Sequence, residues 1–452
     1  MNLFGTDGIR GVANTELTCE TAYRLGRAMG TYLSPGMDLC VGKDTRISGD
    51  MLEAALVAGI TSTGRNVLRL GVITTPGLSF LVKELGLGGG VMISASHNPA
   101  EYNGLKVFGP DGKKVPDETE ELFSAFILGE TADGPHPTGP SVGRVFPGEG
   151  MLIRYSRFLE SVPRERLSGL RVALDTANGS TSSIAPLIWR NLGASVTVIN
   201  DTPDGININR GCGSTHLDAL VQLVRQKDGG PRFDVGFAYD GDGDRCLAVD
   251  ENGEVLDGDH IMAILAMDMA ERGLLAGNTV VGTVMSNYGL EECLREKNIS
   301  LLRTPVGDRY VLEKMEEQGF KLGGEQSGHI IVRDVLWAGD GILTSLLLAD
   351  AMVRAGKRLS ELRCVMTSIP QTLVNVRAVK PKDLVTREAV RRAVSKVEAD
   401  LAGKGRVLVR PSGTEPVVRI MVEARDSQTV KACIDYLEEV LRQEDRAMQE
   451  DK

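Results

Sequence analysis

The sequence predicts an α/β protein: three α/β domains of like design, then a smaller α+β domain. Three observations carry this. A strand, loop, helix, strand unit recurs three times, with apolar strand runs of the kind seen when both sheet faces are covered. After residue 365 the pattern changes to an alternating strand, a helix, two strands and a final helix. At 452 residues the chain has length for about three domains of roughly 150 residues and for several separate cores.

The first unit has a strand at 39–42, the loop Lys43-Asp44-Thr45-Arg46-Ile47-Ser48, a helix with Leu52, Leu56 and Ile60 on one face, and a strand ending at Leu70. The second has a strand at 171–175, the loop Thr176-Ala177-Asn178-Gly179, a helix carrying Ile184, Leu187, Ile188 and Leu192, and a strand ending at Ile199. The third has a strand at 279–284, the loop Ser286-Asn287-Tyr288, a helix carrying Leu290, Cys293 and Leu294, and a strand ending at Leu302. Similar lengths favour repeated domains over a coincidence of common βαβ wiring.

Between the units, Asp117-Glu118-Thr119-Glu120 reads as a capping box ahead of Leu122, Phe123, Phe126 and Ile127. Residues 129–150 are dense in Gly and Pro and read as a linker or surface loop. The last part should hold a strand at 372–379, a helix at 386–402, strands at 406–409 and 417–423, and a helix at 428–442. The expected domains are 1–145, 152–252, 253–366 and 367–452.

The net charge of -10 argues against a nucleic-acid groove or an anionic membrane as partner, so any phosphate chemistry needs local positive charge. Seven cysteines without a C-x-x-C pair point to neither a disulfide framework nor a zinc site, and to a reduced, cytoplasmic protein. The first residues lack the charged and apolar regions of a signal peptide. The longest apolar stretches, 261–270 and 342–353, are broken by Asp268 and Asp350, so no membrane span is expected.

Chemistry is concentrated in loops. The run Val91-Met92-Ile93-Ser94-Ala95-Ser96-His97-Asn98-Pro99 stops abruptly in small polar residues, which should present Ser96 and His97 at a strand end rather than bury them. In Tyr239-Asp240-Gly241-Asp242-Gly243-Asp244-Arg245 three alternate carboxylates can converge because glycines separate them. Such repulsion suits a hard cation, with Mg²⁺ favoured by an oxygen-only set that leaves positions open. A calcium EF-hand loop fits poorly, because its sixth position is Arg245 rather than Gly and its flanks read as strands. A metal-free, solvated acidic turn is the plainer alternative.

Gly323-Gly324-Glu325-Gln326-Ser327-Gly328-His329 can offer Glu325 and Ser327 to sugar hydroxyls. In Arg410-Pro411-Ser412-Gly413-Thr414-Glu415-Pro416, the residues Arg410, Ser412, Gly413 and Thr414, with Arg419 beyond, form a candidate phosphate grip. Phe4-Gly5-Thr6-Asp7-Gly8-Ile9-Arg10-Gly11 and the loop 43–46, with Lys106 and Arg245, supply the local cations. A phosphate on Ser96 would add negative charge and complete the metal shell left open by the three Asp. A serine-hydrolase reading fares worse: there is no G-x-S-x-G, and His97, the next residue, is badly placed as base to Ser96.

The four loops, in this order and one per expected domain, resemble the signature loops of the α-D-phosphohexomutases, and the resemblance covers the whole chain. It implies three mixed-sheet α/β domains and a smaller α+β domain around a central active-site cleft. Ser96 would be the phosphoserine, and a phosphate oxygen on it would join Asp240, Asp242 and Asp244 around one Mg²⁺ per chain. Glu325, Ser327 and Arg245 would bind the sugar. Arg410, Ser412, Gly413, Thr414 and Arg419 would hold the unreactive phosphate. Arg10, Lys106 and His329 would provide charge and proton handling, with His329 the general acid or base.

The expected ligand is a small sugar phosphate, with a hexose bisphosphate as activator and intermediate. The opening segment and Gln326 narrow the resemblance to members acting on glucosamine phosphates, on the route to UDP-N-acetylglucosamine. The alternatives are a glucose or mannose phosphate mutase of the same fold, and a non-catalytic metal and sugar-phosphate binding protein. Oligomeric state stays open, a homodimer included. One departure from the family pattern is Trp337, where a smaller polar residue is expected ahead of Gly339-Asp340.

Overall fold

The computed structural model describes residues 3–5, 7–225, 233–412 and 416–450. It divides into two compact units, one of Met1–Met285 with Leu301–Val365 and one of Ser286–Ser300 with Met366–Lys452.

The first unit contains three mixed sheets. A six-stranded sheet has the order Ile9–Val12, Tyr102–Phe108, Gly90–Ile93, Leu39–Lys43, Val67–Val72, Val145–Pro147. Its last four strands are parallel, and Tyr102–Phe108 runs antiparallel to both of its neighbours. A five-stranded sheet repeats the plan, with Arg171–Asp175 parallel to Ser195–Ile199 and to Val235–Tyr239, and Val235–Tyr239 antiparallel to Cys246–Asp250. The third sheet pairs Thr279–Thr283 in parallel with Leu322–Gly324, which turns back antiparallel into Ile330–Val332.

Each sheet thus ends its parallel run in an antiparallel pair, and the loop joining that pair is one of the motif loops: 94–101, 240–245 and 325–329. Parallel strands need long crossovers, whereas an antiparallel return can be short. The motif loops are therefore anchored at both ends by adjacent strands.

The strands Leu39–Lys43 and Gly90–Ile93 are buried almost throughout, which explains why they read as continuous apolar runs. In the second repeat Trp189 stacks on Phe237 at 5.4 Å, and its indole N–H donates to Tyr239 Oη at 3.3 Å, so the buried indole is satisfied.

Two local expectations are corrected. The helix Asp117–Leu128 begins at Asp117 itself with Pro116 as N-cap and no capping-box bond; the Asp117 carboxylate pairs with Arg309 instead. The 129–150 segment is not all loop, because Val145–Pro147 adds an edge strand parallel to Val67–Val72. Trp337 docks its indole N–H on Ser79 Oγ at 3.1 Å, with the Lys83 ammonium 3.8 Å from the ring centre.

The second unit carries an antiparallel sheet in the order Gln371–Arg377, Val417–Ala424, Gly405–Pro411, packed with the helices Glu388–Leu401 and Ser427–Glu450. The last helix is longer than its sequence pattern suggested.

Asp340 caps the helix Gly341–Ala355 by accepting from Leu343 N–H at 3.0 Å, and its other oxygen accepts from Tyr155 O–H at 2.5 Å. Burial pushes its pKa up to about 6. The folded value lies above the unfolded value of about 3.9, so the folded state holds this proton more tightly. The group's contribution to stability is then lost as pH rises from about 4 to about 6. Asp340→Asn, which removes the charge, keeps an acceptor oxygen for Leu343 N–H and can turn its amide N–H toward Tyr155 Oη in place of the accepted bond, is expected to match or exceed the parent in stability near neutral pH. That advantage should disappear toward a pH of about 4. Urea titrations at the two pH values check this; a variant clearly weaker at neutral pH would contradict it.

Candidate active site

Three of the four motif loops lie in the first unit, and the structure brings two of them into direct contact. Ser96 Oγ donates to Asp240 Oδ2 at 2.6 Å across 144 residues of chain. Ser96 is not presented to solvent as the strand-end reading expected; it is 1% exposed. Its φ of +52° is unusual for a residue with a side chain and turns the loop beneath the acidic turn.

The acidic turn rests on three helix starts. Gly241 O accepts from Ser180 N–H, just before the helix Thr181–Asn191, at 2.8 Å. Asp242 O accepts from Thr75 N–H, first in the helix Thr75–Glu84, at 2.9 Å. Gly243 O accepts from Gly341 N–H, first in the helix Gly341–Ala355, at 2.9 Å. These N-termini place partial positive charge under a loop carrying three carboxylates.

Oxygens of Asp240, Asp242 and Asp244 lie within 4.8 Å of one another, and all three residues are buried. Asp242 Oδ1 and Asp244 Oδ1 have no hydrogen-bond partner among the described residues. Buried carboxylate oxygens are costly to leave unpaired, and carboxylates gathered this closely are what a hard cation satisfies. The donor set fits a divalent oxygen-seeking ion. Nearby, the buried Nε atoms of Arg10 and Arg245 also lack partners among the described residues, as donors awaiting an anion would.

The carboxylates differ in environment. Burial, followed by the charges of Asp244 and Asp242, raises the Asp240 pKa. Burial would raise Asp244 too, but Lys106, then His329 and Arg245, hold it below the ordinary range. Lys106 Nζ lies 2.8 Å from Asp242, 3.0 Å from Asp7 and 3.8 Å from Asp244. Burial opposes its charge, but these three carboxylates prevail and raise its pKa. Lys106 is thus a fixed cation, poorly suited to the proton handling that sequence reasoning had also allowed it.

His329 stands between two carboxylates, Nδ1 3.6 Å from Asp244 and Nε2 3.8 Å from Asp308. Burial would lower its pKa, but Asp244, then Asp308 and Glu325, raise it. Gly339 closes over the ring; a Cβ there would come within 2.3 Å of Nε2. His97 Nδ1 is 3.4 Å from Ser96 Oγ, nearer than sequence adjacency suggested. Burial, then Arg245 and Arg10, bring the His97 pKa down to about 4.

Glu325 accepts from Gly307 N–H at 3.1 Å and from Ser327 O–H at 3.4 Å, and Cys246 N–H donates to Gly328 O at 3.0 Å, tying this loop to the acidic turn. Arg245 contributes its backbone N–H to Asp240 at 3.2 Å, and its guanidinium lies 3.8 Å from Asp244. Arg10 pairs with Asp7.

In the second unit, Arg410 and Arg419 face each other across the Gly405–Pro411 and Val417–Ala424 ladder, and Ser412 N–H donates to Val417 O at 2.9 Å. Burial, then the charge of Arg419, lowers the Arg410 pKa, as expected of two guanidinium groups built side by side. Gly413 and Thr414 lie outside the described residues.

Sequence reasoning missed Asp7, Lys114 and Asp308. Lys114 Nζ joins Asp7 at 2.6 Å to Asp308 at 2.7 Å. Only Asp7 sat in a motif; nothing local marks the other two. The expected cation Arg46 is corrected, since all of its charge is turned inward. It pairs with buried Asp44 at 2.9 Å and is itself 2% exposed.

The chain matches four domain families in sequence: phosphoglucomutase/phosphomannomutase alpha/beta/alpha domain I at residues 1–132, domain II at 154–253, domain III at 257–368, and the C-terminal domain at 373–440. It belongs to the phosphoglucomutase/phosphomannomutase family, the phosphohexomutases, and is an isomerase of that family. Among curated relatives it is 48% identical over 444 residues to the phosphoglucosamine mutase of Bacillus mycoides, covering 98% of both chains. It is 48% identical over 447 residues to that of Geobacillus kaustophilus, again with 98% of both covered.

Solved structures show the same fold. A phosphoglucomutase/phosphomannomutase family protein from Burkholderia thailandensis gives a TM-score of 0.81 at 23% identity, over 98% of this chain and 97% of that one. Aspergillus fumigatus N-acetylphosphoglucosamine mutase, solved with GlcNAc-6P and magnesium, gives 0.69 at 18% identity, over 98% and 96%. Among the described residues no helix is long and apolar enough to cross a membrane.

Proposed function

We propose that this chain interconverts glucosamine 6-phosphate and glucosamine 1-phosphate through a phosphate carried on Ser96. The observation that carries the reading is the buried Ser96 hydroxyl, 2.6 Å from Asp240, beside two carboxylates with unpaired oxygens. The names of its full-length relatives and the narrower resemblance through residues 4–11 and Gln326 select glucosamine as the sugar. In the cell it would act in the cytoplasm, toward UDP-N-acetylglucosamine.

In the first transfer the phosphorus–oxygen bond to Ser96 breaks as a bond forms to the sugar's free hydroxyl, whose proton passes to a base. The resulting bisphosphate turns over, and the second transfer returns its other phosphate to Ser96. Asp240, Asp242 and Asp244, with a phosphate oxygen on Ser96, would hold one Mg²⁺. When bound, the ion supplies Lewis-acid stabilisation to the phosphoryl oxygens.

Phosphoryl transfer is mostly positioning and charge stabilisation, which fits the fixed cations Lys106, Arg10 and Arg245 around the serine. His329, whose protonated form is favoured by Asp244 and Asp308 against the effect of burial, is suited to give a proton to Ser96 Oγ as the phosphate leaves. Glu325 and Ser327 would receive sugar hydroxyls, and Arg410, Ser412, Gly413, Thr414 and Arg419 the unreactive phosphate. The division at 1–145, 152–252, 253–366 and 367–452, one motif loop in each part, belongs to this reading.

A panel of glucosamine, glucose and mannose phosphates tests the assignment. Turnover of glucosamine phosphates is expected to exceed the others clearly. Preference for mannose 1-phosphate would replace the reading with a phosphomannomutase.

A further inference from the structure

The carbonyl oxygen of Ser96 is held by two side-chain donors that no catalytic motif contains. Arg46 Nη2 donates to it at 2.9 Å and Asn209 Nδ2 at 2.8 Å. Arg46 comes from the loop after the strand Leu39–Lys43, and Asn209 from the segment after Ser195–Ile199, so the two converge from different sheets.

Arg46 is fully committed to this loop. Its Nη2 also donates to Asn98 O at 2.8 Å, its Nη1 to Tyr102 O at 3.0 Å and to Pro99 O, and its Nε to Asp44 Oδ2 at 2.9 Å. A guanidinium has five N–H donors, and each has an acceptor here. Asp44 in turn accepts from Ser94 O–H at 2.6 Å, and Ser94 Oγ accepts from Ser96 N–H at 2.9 Å. Both sides of the Ser96 backbone are therefore tied to the Asp44–Arg46 pair.

Asn209 ties the same carbonyl to the acidic-turn side. Its amide also reaches Asn98 O at 3.1 Å, and its backbone N–H donates to Ala177 O at 2.9 Å. The carbonyl is backed by Gly241, where a Cβ would come within 2.6 Å of Ser96 O and 2.9 Å of Asn209 Nδ2. The left-handed backbone of Ser96 is thus over-determined by its surroundings, the condition under which such strain persists.

We propose that Arg46 and Asn209 are positioning residues for phosphoryl transfer: together they clamp the Ser96 carbonyl and so keep its hydroxyl aimed at Asp240. This rests on the reading of Ser96 as phosphate carrier. Neither side chain lends charge to a phosphate, because Arg46 is paired with Asp44 and Asn209 is neutral; they act through the serine's geometry alone. A misplacement near 1 Å at a reacting group is enough to cost about 100-fold in rate.

The test uses the full chain and glucosamine phosphates. Asn209 has a φ of +56°, so Ala would add backbone strain of its own, and Asn209→Gly removes the amide cleanly. Its kcat is expected to fall about 10- to 100-fold while KM stays within about twofold, with the melting temperature little changed. Asn209→Asp, which keeps the shape but loses the donor, should fall likewise, as should Arg46→Lys, whose ammonium has three donors for five acceptors.

A kcat for Asn209→Gly within about twofold of the parent overturns the proposal, as does a loss that merely follows the fraction of unfolded protein. Parent protein whose Ser96 takes up no phosphate from a hexose bisphosphate, read by intact mass, overturns the carrier reading itself. That result is distinct, because it needs no variant.

Discussion

Ser96→Ala is expected to reduce turnover by roughly 10³-fold or more while leaving the fold in place, because it removes the atom that carries phosphate between the two transfers. The loop should survive. Its shape is set by the main-chain bonds of Arg46 and Asn209 and by Ser94 Oγ on the Ser96 N–H, none of which uses the Ser96 hydroxyl. What is lost is the 2.6 Å bond to Asp240, a carboxyl already pushed up by burial and by its neighbours, and that bond opposes the rise. Asp240 should therefore ionise less readily in the variant. Intact mass after incubation with a hexose bisphosphate should show no added phosphate, and thermal melting should stay within a few degrees of the parent. Near-normal turnover would sink the phosphoserine mechanism.

Chelation should abolish turnover, and Mg²⁺ should restore it and raise the melting temperature. Three buried carboxylates meet within 4.8 Å, and their charge is offset only in part by Lys106, Arg245, His329 and three helix N-termini. An ion that binds the folded state alone stabilises it by about 2.7 kcal/mol at a concentration 100 times its Kd. In Asp242→Asn the Mg²⁺-dependent rise in melting temperature should largely disappear, along with most activity. Asp242 Oδ2 is already engaged by Thr75 at 2.5 Å and Lys106 at 2.8 Å, and Oδ1 is the oxygen left for a metal. Calorimetry with and without Mg²⁺ is the measurement; identical melting in both would count against a metal at these residues.

Much of the fold was legible because its signals are local. The apolar runs at 39–42, 171–175 and 279–284 became buried strands, and the helices carrying Leu52, Ile184 and Leu290 formed where their periodicity placed them. The failures occur where a distant partner competes with a local rule. Asp117 fits a capping box, but Arg309 takes its carboxylate. Residues 145–147 have linker composition, yet the open edge of Val67–Val72 recruits them as a strand.

The site divides in the same way. Asp240, Asp242 and Asp244 could be recognised because ligands two residues apart, separated by glycines, declare their convergence within a few residues of chain. Asp308 and Lys114 could not, since their role exists only where a helix start of the third repeat meets the first. Arg46 shows the limit most clearly: its residue type was read as free positive charge, while its environment turns every donor toward loop carbonyls and one aspartate.

The sequence by itself determined the repeated α/β plan, the four loops and the residue types that give each loop its chemistry, because periodicity and short spacing are properties of the chain alone. Tertiary structure alone decided that Ser96 is buried in a left-handed backbone, that Lys106 is a locked cation and that His329 stands between two carboxylates. Those outcomes depend on burial and on charges brought together from separate parts of the chain, such as Ser96 with Asp240, 144 positions apart, and Lys106 with Asp242, 136 apart. Desolvation and Coulomb energy act through space, and no local pattern along the chain records them.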